Sequence, residues 1–151
     1  MYLISVVVLM AFAPMASVLV GLHSSADTSV AALVLHWSVF WMVGARLSIA
    51  GIRQIVQPRY TAATILGIEH TGALLVVREL GFANLAIGAI GIGSVEWTPW
   101  AAPAAVAGAI FYGLAGLNHL RAGQHTTFAR IAMISDLWAL VVLAAALWLI
   151  W

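Results

Sequence analysis

Cysteine does not occur in this chain, which excludes disulfides, thiolate metal ligands and thiol nucleophiles. Lysine is missing too, so all six basic residues are arginine. Charge of either sign is scarce, at 7% of residues, where a water-soluble domain carries roughly 25%. So few ionised groups cannot cover a water-facing surface. They also leave no basic stripe to meet phosphates, which excludes nucleic acid as a partner. No serine nucleophile motif and no phosphate-cradling glycine loop is present, and Gly88-Ala-Ile-Gly91-Ile-Gly93 falls inside an apolar run, where glycines serve packing. Metal-ligand spacing is absent as well: His119 and His125 are six apart, and His70 directly follows Glu69, unlike a His-Glu-x-x-His pair. There is no tandem repeat, low-complexity tail or interdomain linker.

What remains is apolar. Hydrophobic residues make up 64% of the 151, and they fall into runs long enough to cross a hydrocarbon core, which takes about 20 helical residues. Five runs qualify, at about 1–22, 30–56, 72–93, 101–120 and 131–151. The first contains Pro14, which a helix in a bundle tolerates with a kink. It reads as a retained span rather than a cleaved signal peptide, because no basic residue precedes it and no clear small-x-small site follows before Asp27. Gln57-Pro58-Arg59 stops the second run. As one helix, the stretch from Thr61 to Val95 would be about 50 Å long, too long for one crossing. It divides into a short interfacial helix from about Thr61 to Thr71 and a third span. The expected fold is therefore all-α: a single transmembrane domain over 1–151, with about five membrane helices plus the short interfacial one.

Loop charges give the orientation. The loops at Asp27 and Glu96 carry no arginine, whereas the turn at Arg59 and the loop from Arg121 to Arg130 do. The two kinds alternate, as five crossings require and four would not. The arginine loops belong in the cytoplasm, which puts the amino terminus inside and the carboxyl terminus outside. Trp97 and Trp100 suit one interface, and Trp148 and Trp151 anchor the end of the last span.

Charges within a membrane are costly, so each one marks a candidate site. With this orientation Arg46, Arg53, Arg78, Glu79, Asn84, Asn118, His119 and Asp136 all fall in the middle or cytoplasmic half. Arg46 and Arg53 are seven apart and share a helix face. An Arg46–Glu79 pair is expected, with Asp136 meeting Arg53, Arg130 or His119, and with Asn84 and Asn118 adding interhelical hydrogen bonds. Such a layer can be structural, can bind an anionic or polar headgroup, or can pass protons or ions; the residue types alone fit all three. In the outer half, His36, Trp37 and Trp41, with Phe40 between, could line a pocket for a flat lipophilic molecule such as a quinone, or simply face lipid and core. Small residues recur at helical spacing, with Ala105, Ala109, Gly113 and Gly116 in one span and Gly81 and Gly88 in another. Such faces allow close helix approach, within the bundle or between copies.

Glu79-Leu-Gly81-Phe82-Ala83-Asn84-Leu85-Ala86-Ile-Gly88 resembles the central signature of an uncharacterised family of bacterial multi-pass membrane proteins, classed as a domain of unknown function. That family tends to have a histidine closing its penultimate span and an aspartate entering its last; His119 and Asp136 hold those places. Just before the signature the chain departs from the family's aromatic-rich Pro-Phe-Gln-type segment and reads Gly72-Ala-Leu-Leu-Val-Val-Arg78. The resemblance implies a bacterial plasma-membrane bundle and highlights Glu79, Asn84, His119 and Asp136. It implies no activity and no cofactor.

Three functions are compatible with these readings. The first is a membrane protein that binds or passes a small polar or amphiphilic ligand through its polar cytoplasmic half. The second is an accessory subunit of a larger membrane complex. The third is a membrane enzyme acting on a lipid or quinone, with Glu79 or Asp136 as the acid–base group and His119 assisting. The partners in view are membrane lipids, a homo-oligomer or a larger complex.

Overall fold

A computed structural model describes residues 2–24, 28–122 and 126–150. Asp27, Gln124, His125 and Trp151 lie outside the described residues. The described chain contains no strand; it is six helices, labelled α1 (Tyr2–Ser24), α2 (Val30–Val56), α3 (Tyr60–Ile65), α4 (Ala73–Gly93), α5 (Thr98–Arg121) and α6 (Thr127–Ile150). All but α3 are long and apolar enough to cross a membrane, so the protein is a multi-pass membrane helical bundle. Tyr2, Arg53, Tyr60, Leu80, His119 and Asp136 meet around one cavity. The start of α1, the end of α2, the start of α4, the end of α5 and the start of α6 therefore lie together, and the five long helices alternate in direction.

Local chemistry sets the helix ends. Ser29 caps α2 by accepting the Ala32 N–H at 3.2 Å. Thr126 does the same for the Ala129 N–H at 3.1 Å, which is why α6 begins at Thr127 rather than at the expected Ile131. α2 ends at Val56, where Pro58 cannot continue the ladder. The short helix is shifted and shortened relative to its expected Thr61–Thr71. It runs over Tyr60–Ile65 and closes on Gly67, whose φ of +69° lets the Ile68 N–H return to the Ala62 carbonyl at 2.8 Å. The chain then continues without helix to α4.

α2 is the central helix and packs against α1, α4, α5 and α6. Its contact with α4 is a glycine seam. A Cβ placed on Gly91 would lie 2.6 Å from the Gly44 nitrogen, and one on Gly51 would lie 2.7 Å from the Gly81 carbonyl oxygen. With no side chain between them, the two backbones touch directly. α5 and α6 form the second close pair, with Gly116 against Leu137 and Gly113 against Leu140. Ala105, Ala109 and Gly116 are buried in the bundle. The core where these pairs meet holds Val39, Met42, Val43, Leu47, Tyr112 and Leu143. Large apolar side chains such as Ile4, Val20, Leu75 and Leu114 point outward, as lipid solvation allows.

Two backbone irregularities are repaired by side chains from opposing helices. Pro14 has no N–H for the Met10 carbonyl one turn back, and α1 widens into a π-helical segment at Val8–Phe12. The Trp138 indole of α6 donates to that Met10 carbonyl at 2.8 Å. In α2 the π-helical segment Val39–Ala45 sends the Arg46 N–H to Trp41 and Val43 rather than to Met42. The Met42 carbonyl accepts the hydroxyl of Tyr112 from α5. Both repairs satisfy the requirement that backbone polar groups in lipid find partners inside the protein.

Candidate functional site: a polar cavity between the helices

The π-helical segment of α2 inserts an extra residue into the turn ahead of Arg46, rotating the remainder of the helix by about 100°. From there Arg46, Arg53 and Gln54 border a partly open cavity of about 160 Å³. α1 contributes Tyr2, Ser5 and Leu9; α3 contributes Tyr60 and Thr61; α4 contributes Asn84. His119 of α5 and Asp136 of α6 complete its polar lining, while Phe111, Leu47 and Leu80 supply apolar wall.

Several polar atoms here are paired. Asn84 Nδ2 donates to Gln54 Oε1 at 2.8 Å, a buried interhelical bond. His119 Nε2 and Asp136 Oδ2 stand 4.0 Å apart, the one pairing of a basic with an acidic side chain within that distance among the described residues. The Arg53 guanidinium lies over the Tyr60 ring, 3.7 Å from its centroid, and Arg46 approaches the Tyr2 ring at 5.9 Å. Others are not. Arg46 Nε, Asn84 Oδ1 and His119 Nδ1 are buried without a hydrogen-bond partner among the described residues. Asn84 is only 2% exposed and His119 8%.

The expected pairings are met in part. Asp136 does face His119. The Arg46–Glu79 pair does not form, because the buried stripe of α4 runs Val77, Gly81, Asn84, Gly88, Gly91. At 100° per residue Glu79 sits about 200° from Val77, on the opposite face, and Arg78 lies to the side; both are exposed. Glu79 therefore has no place at the cavity as an acid–base group. Asn118 is exposed and makes no side-chain hydrogen bond among the described residues, since its neighbour His119 takes the inward position.

His36, Trp37 and Trp41 are half-buried, away from the cavity. His36 stacks edge-on against Trp37 at 4.9 Å, and Trp41 Nε1 donates to Ser17 Oγ of α1 at 2.9 Å. Trp41, with Trp37 beside Gly21, serves the α1–α2 interface. Among the described residues no three His, Asp or Glu side chains come together as metal ligands.

Gln54, Tyr2, Tyr60, Thr61 and Tyr112 belong to the site but were not singled out from sequence. Gln54 had a signal: it continues the spacing of Leu47 and Gly51 along the buried face of α2. Tyr2 had none, since only the fold brings the first turn of the chain beside Arg46. In comparisons with protein-family models, curated proteins and solved structures, nothing matches this chain.

Proposed function

We propose that this membrane protein binds a small polar or amphiphilic molecule in the cavity between α1, α2, α4, α5 and α6. The carrying observation is that Arg46 Nε, Asn84 Oδ1 and His119 Nδ1, from three helices around one 160 Å³ cavity, are buried without partners among the described residues. A buried polar group left unmade costs about 1–3 kcal/mol. A layer serving only to hold the helices would pair these atoms with each other, as Gln54 and Asn84 pair. An occupant supplying both donor and acceptor atoms removes the cost. The arginine-bearing end supports a cytoplasmic position for the site, by the positive-inside rule. Likeness to the uncharacterised bacterial family, proposed on the Glu79–Gly88 stretch, agrees with a bacterial plasma membrane.

Native mass spectrometry of the protein released from lipid discs tests this reading. The expected spectrum has a discrete adduct that disappears in Asn84→Leu and Arg46→Gln and persists in Glu79→Gln. An adduct-free wild-type spectrum, or an adduct indifferent to both cavity substitutions, would overturn it.

One observation favours a second reading, an accessory subunit. Arg78 and Glu79 are exposed on the outer face of α4, inside a membrane-spanning helix. Charges there are stabilised by a partner helix that brings complementary groups. Stoichiometric co-purification of another membrane protein, lost in Arg78→Gln with Glu79→Gln, would support it.

A further inference from the structure

Resting on the cavity-binding reading, we infer that the occupant carries an oxyanion, a carboxylate or phosphate group held against Arg46. The charge census around the cavity is unequal. α2 brings two guanidinium groups, Arg46 and Arg53, and α6 brings one carboxylate, Asp136. α1 and α3 add only tyrosine, serine and threonine, α5 adds His119, and α4 adds Asn84 while turning Arg78 and Glu79 away. Asp136, the one carboxylate lining the cavity among the described residues, stands 4.0 Å from His119, and neither arginine has a described carboxylate within that distance. Arg53 is engaged by the Tyr60 ring. Arg46 faces the Tyr2 ring and hydroxyl and feels the Asp136 charge from beyond 4.0 Å, and its buried Nε has no acceptor among the described residues.

A guanidinium without a carboxylate in direct contact is costly in a water-poor bundle, and an oxyanion is its geometric complement. Asn84 Oδ1 adds a second specification. It is an unused acceptor, so it requires a donor: the O–H of a protonated phosphate oxygen or a hydroxyl on the same headgroup. The cavity, about 160 Å³ and open on one side, has room for a polar headgroup. Ser5, Ile49 and Leu66 line the cavity while exposed to the exterior, which leaves a way out between α1 and α2 for an attached chain. The shared chemistry is an oxyanion, carried on a lipid or free in solution.

The purified full-length protein in neutral detergent is titrated with dodecyl phosphate, dodecanoate, dodecanol, dodecylamine and inorganic phosphate. Binding is read by native mass spectrometry and by tryptophan fluorescence. The acidic amphiphiles are expected to bind roughly tenfold or more tighter than the alcohol and the amine. Arg46→Gln should abolish that preference, while Arg46→Lys and Arg78→Gln preserve it. Inorganic phosphate binding as tightly as dodecyl phosphate, with the same loss in Arg46→Gln, would support the oxyanion and assign a soluble source. Dodecanol binding as tightly as the acids, and lost in Asn84→Leu, would overturn the oxyanion and leave the cavity reading intact. Wild-type protein that binds none of the probes would overturn both. Should Arg46→Gln fail to fold, equal affinity for acids and alcohol in the folded wild type still decides against the inference.

Discussion

Substituting Gly51 by alanine tests the architecture that places the cavity. The added Cβ would lie 2.7 Å from the Gly81 carbonyl oxygen and 2.8 Å from the Leu85 nitrogen. Non-bonded heavy atoms rest at about 3.5 Å or more, so the shortfall is close to 1 Å. Both obstacles are backbone atoms of α4, so no rotamer change relieves the contact and the two helices must part. Overpacking of this kind costs about 1–3 kcal/mol. The same movement pulls on the Gln54–Asn84 hydrogen bond, one turn further along the seam, and should weaken ligand binding with it. Gly113→Ala is the matched control. Its Cβ would meet only the Leu140 side chain, at 3.3 Å, and that side chain can give. Alanine in mid-helix gains about 0.5–1 kcal/mol over glycine, so this variant should be neutral or slightly more stable. Denaturant-titrated unfolding of both variants in mixed micelles, followed by helical circular dichroism, gives the comparison. Equal stability of Gly51→Ala and Gly113→Ala would show that the α2–α4 seam is not backbone on backbone.

Trp138→Phe should cost about 1–2 kcal/mol by stranding the Met10 carbonyl. Pro14→Ala supplies a backbone N–H for the same carbonyl, so the double variant should recover part of that loss in the same unfolding assay; additive losses would refute the repair. Gln54→Leu and Asn84→Leu should each be destabilising, with the pair losing less than the sum by about 0.5–3 kcal/mol in a double-mutant cycle; zero coupling would mean that their bond contributes nothing. Glu79→Gln, on the outer face of α4, should change stability by no more than about 0.5 kcal/mol and leave cavity binding unchanged. A clear loss of binding would place Glu79 inside the bundle and overturn the orientation of α4.

The class of fold was legible because it depends on quantities that a one-dimensional chain carries. A scarcity of charge and five apolar runs require lipid as solvent and helices as the spanning element. Depth was legible too: Asn84, His119 and Asp136 meet near one end because position along a helix converts directly into height. Direction around the helix axis was harder. In a soluble helix the apolar side marks the core, but α4 is apolar on nearly every side, and that contrast vanishes. The Arg46–Glu79 pairing matched depth and ignored direction. The needed signal was present in Gly81 and Gly88, which mark the buried face of α4, with Glu79 about 200° from Gly81. The small-residue stripe, rather than hydrophobicity, orients a membrane helix.

The irregular turns were invisible in the sequence, and they matter most for the site. A π-helical segment has no reliable residue signature, yet the one at Val39–Ala45 decides where Arg46 and Arg53 point. It also creates the orphan Met42 carbonyl that Tyr112 satisfies. The segment at Val8–Phe12, with Pro14, creates the need that Trp138 fills. Tyr112 borders the cavity, and Trp138 lies half a turn beyond Asp136 on α6. Each repair therefore ties a distorted stretch of α1 or α2 to the helix that carries His119 or Asp136. A bundle free to straighten these turns would relieve the distortions and rotate Arg46 away from the cavity. The two cross-helix hydrogen bonds oppose that relaxation, so the unpartnered Arg46, Asn84 and His119 atoms are held in place before any ligand arrives. Such preorganisation lowers the entropy cost of binding.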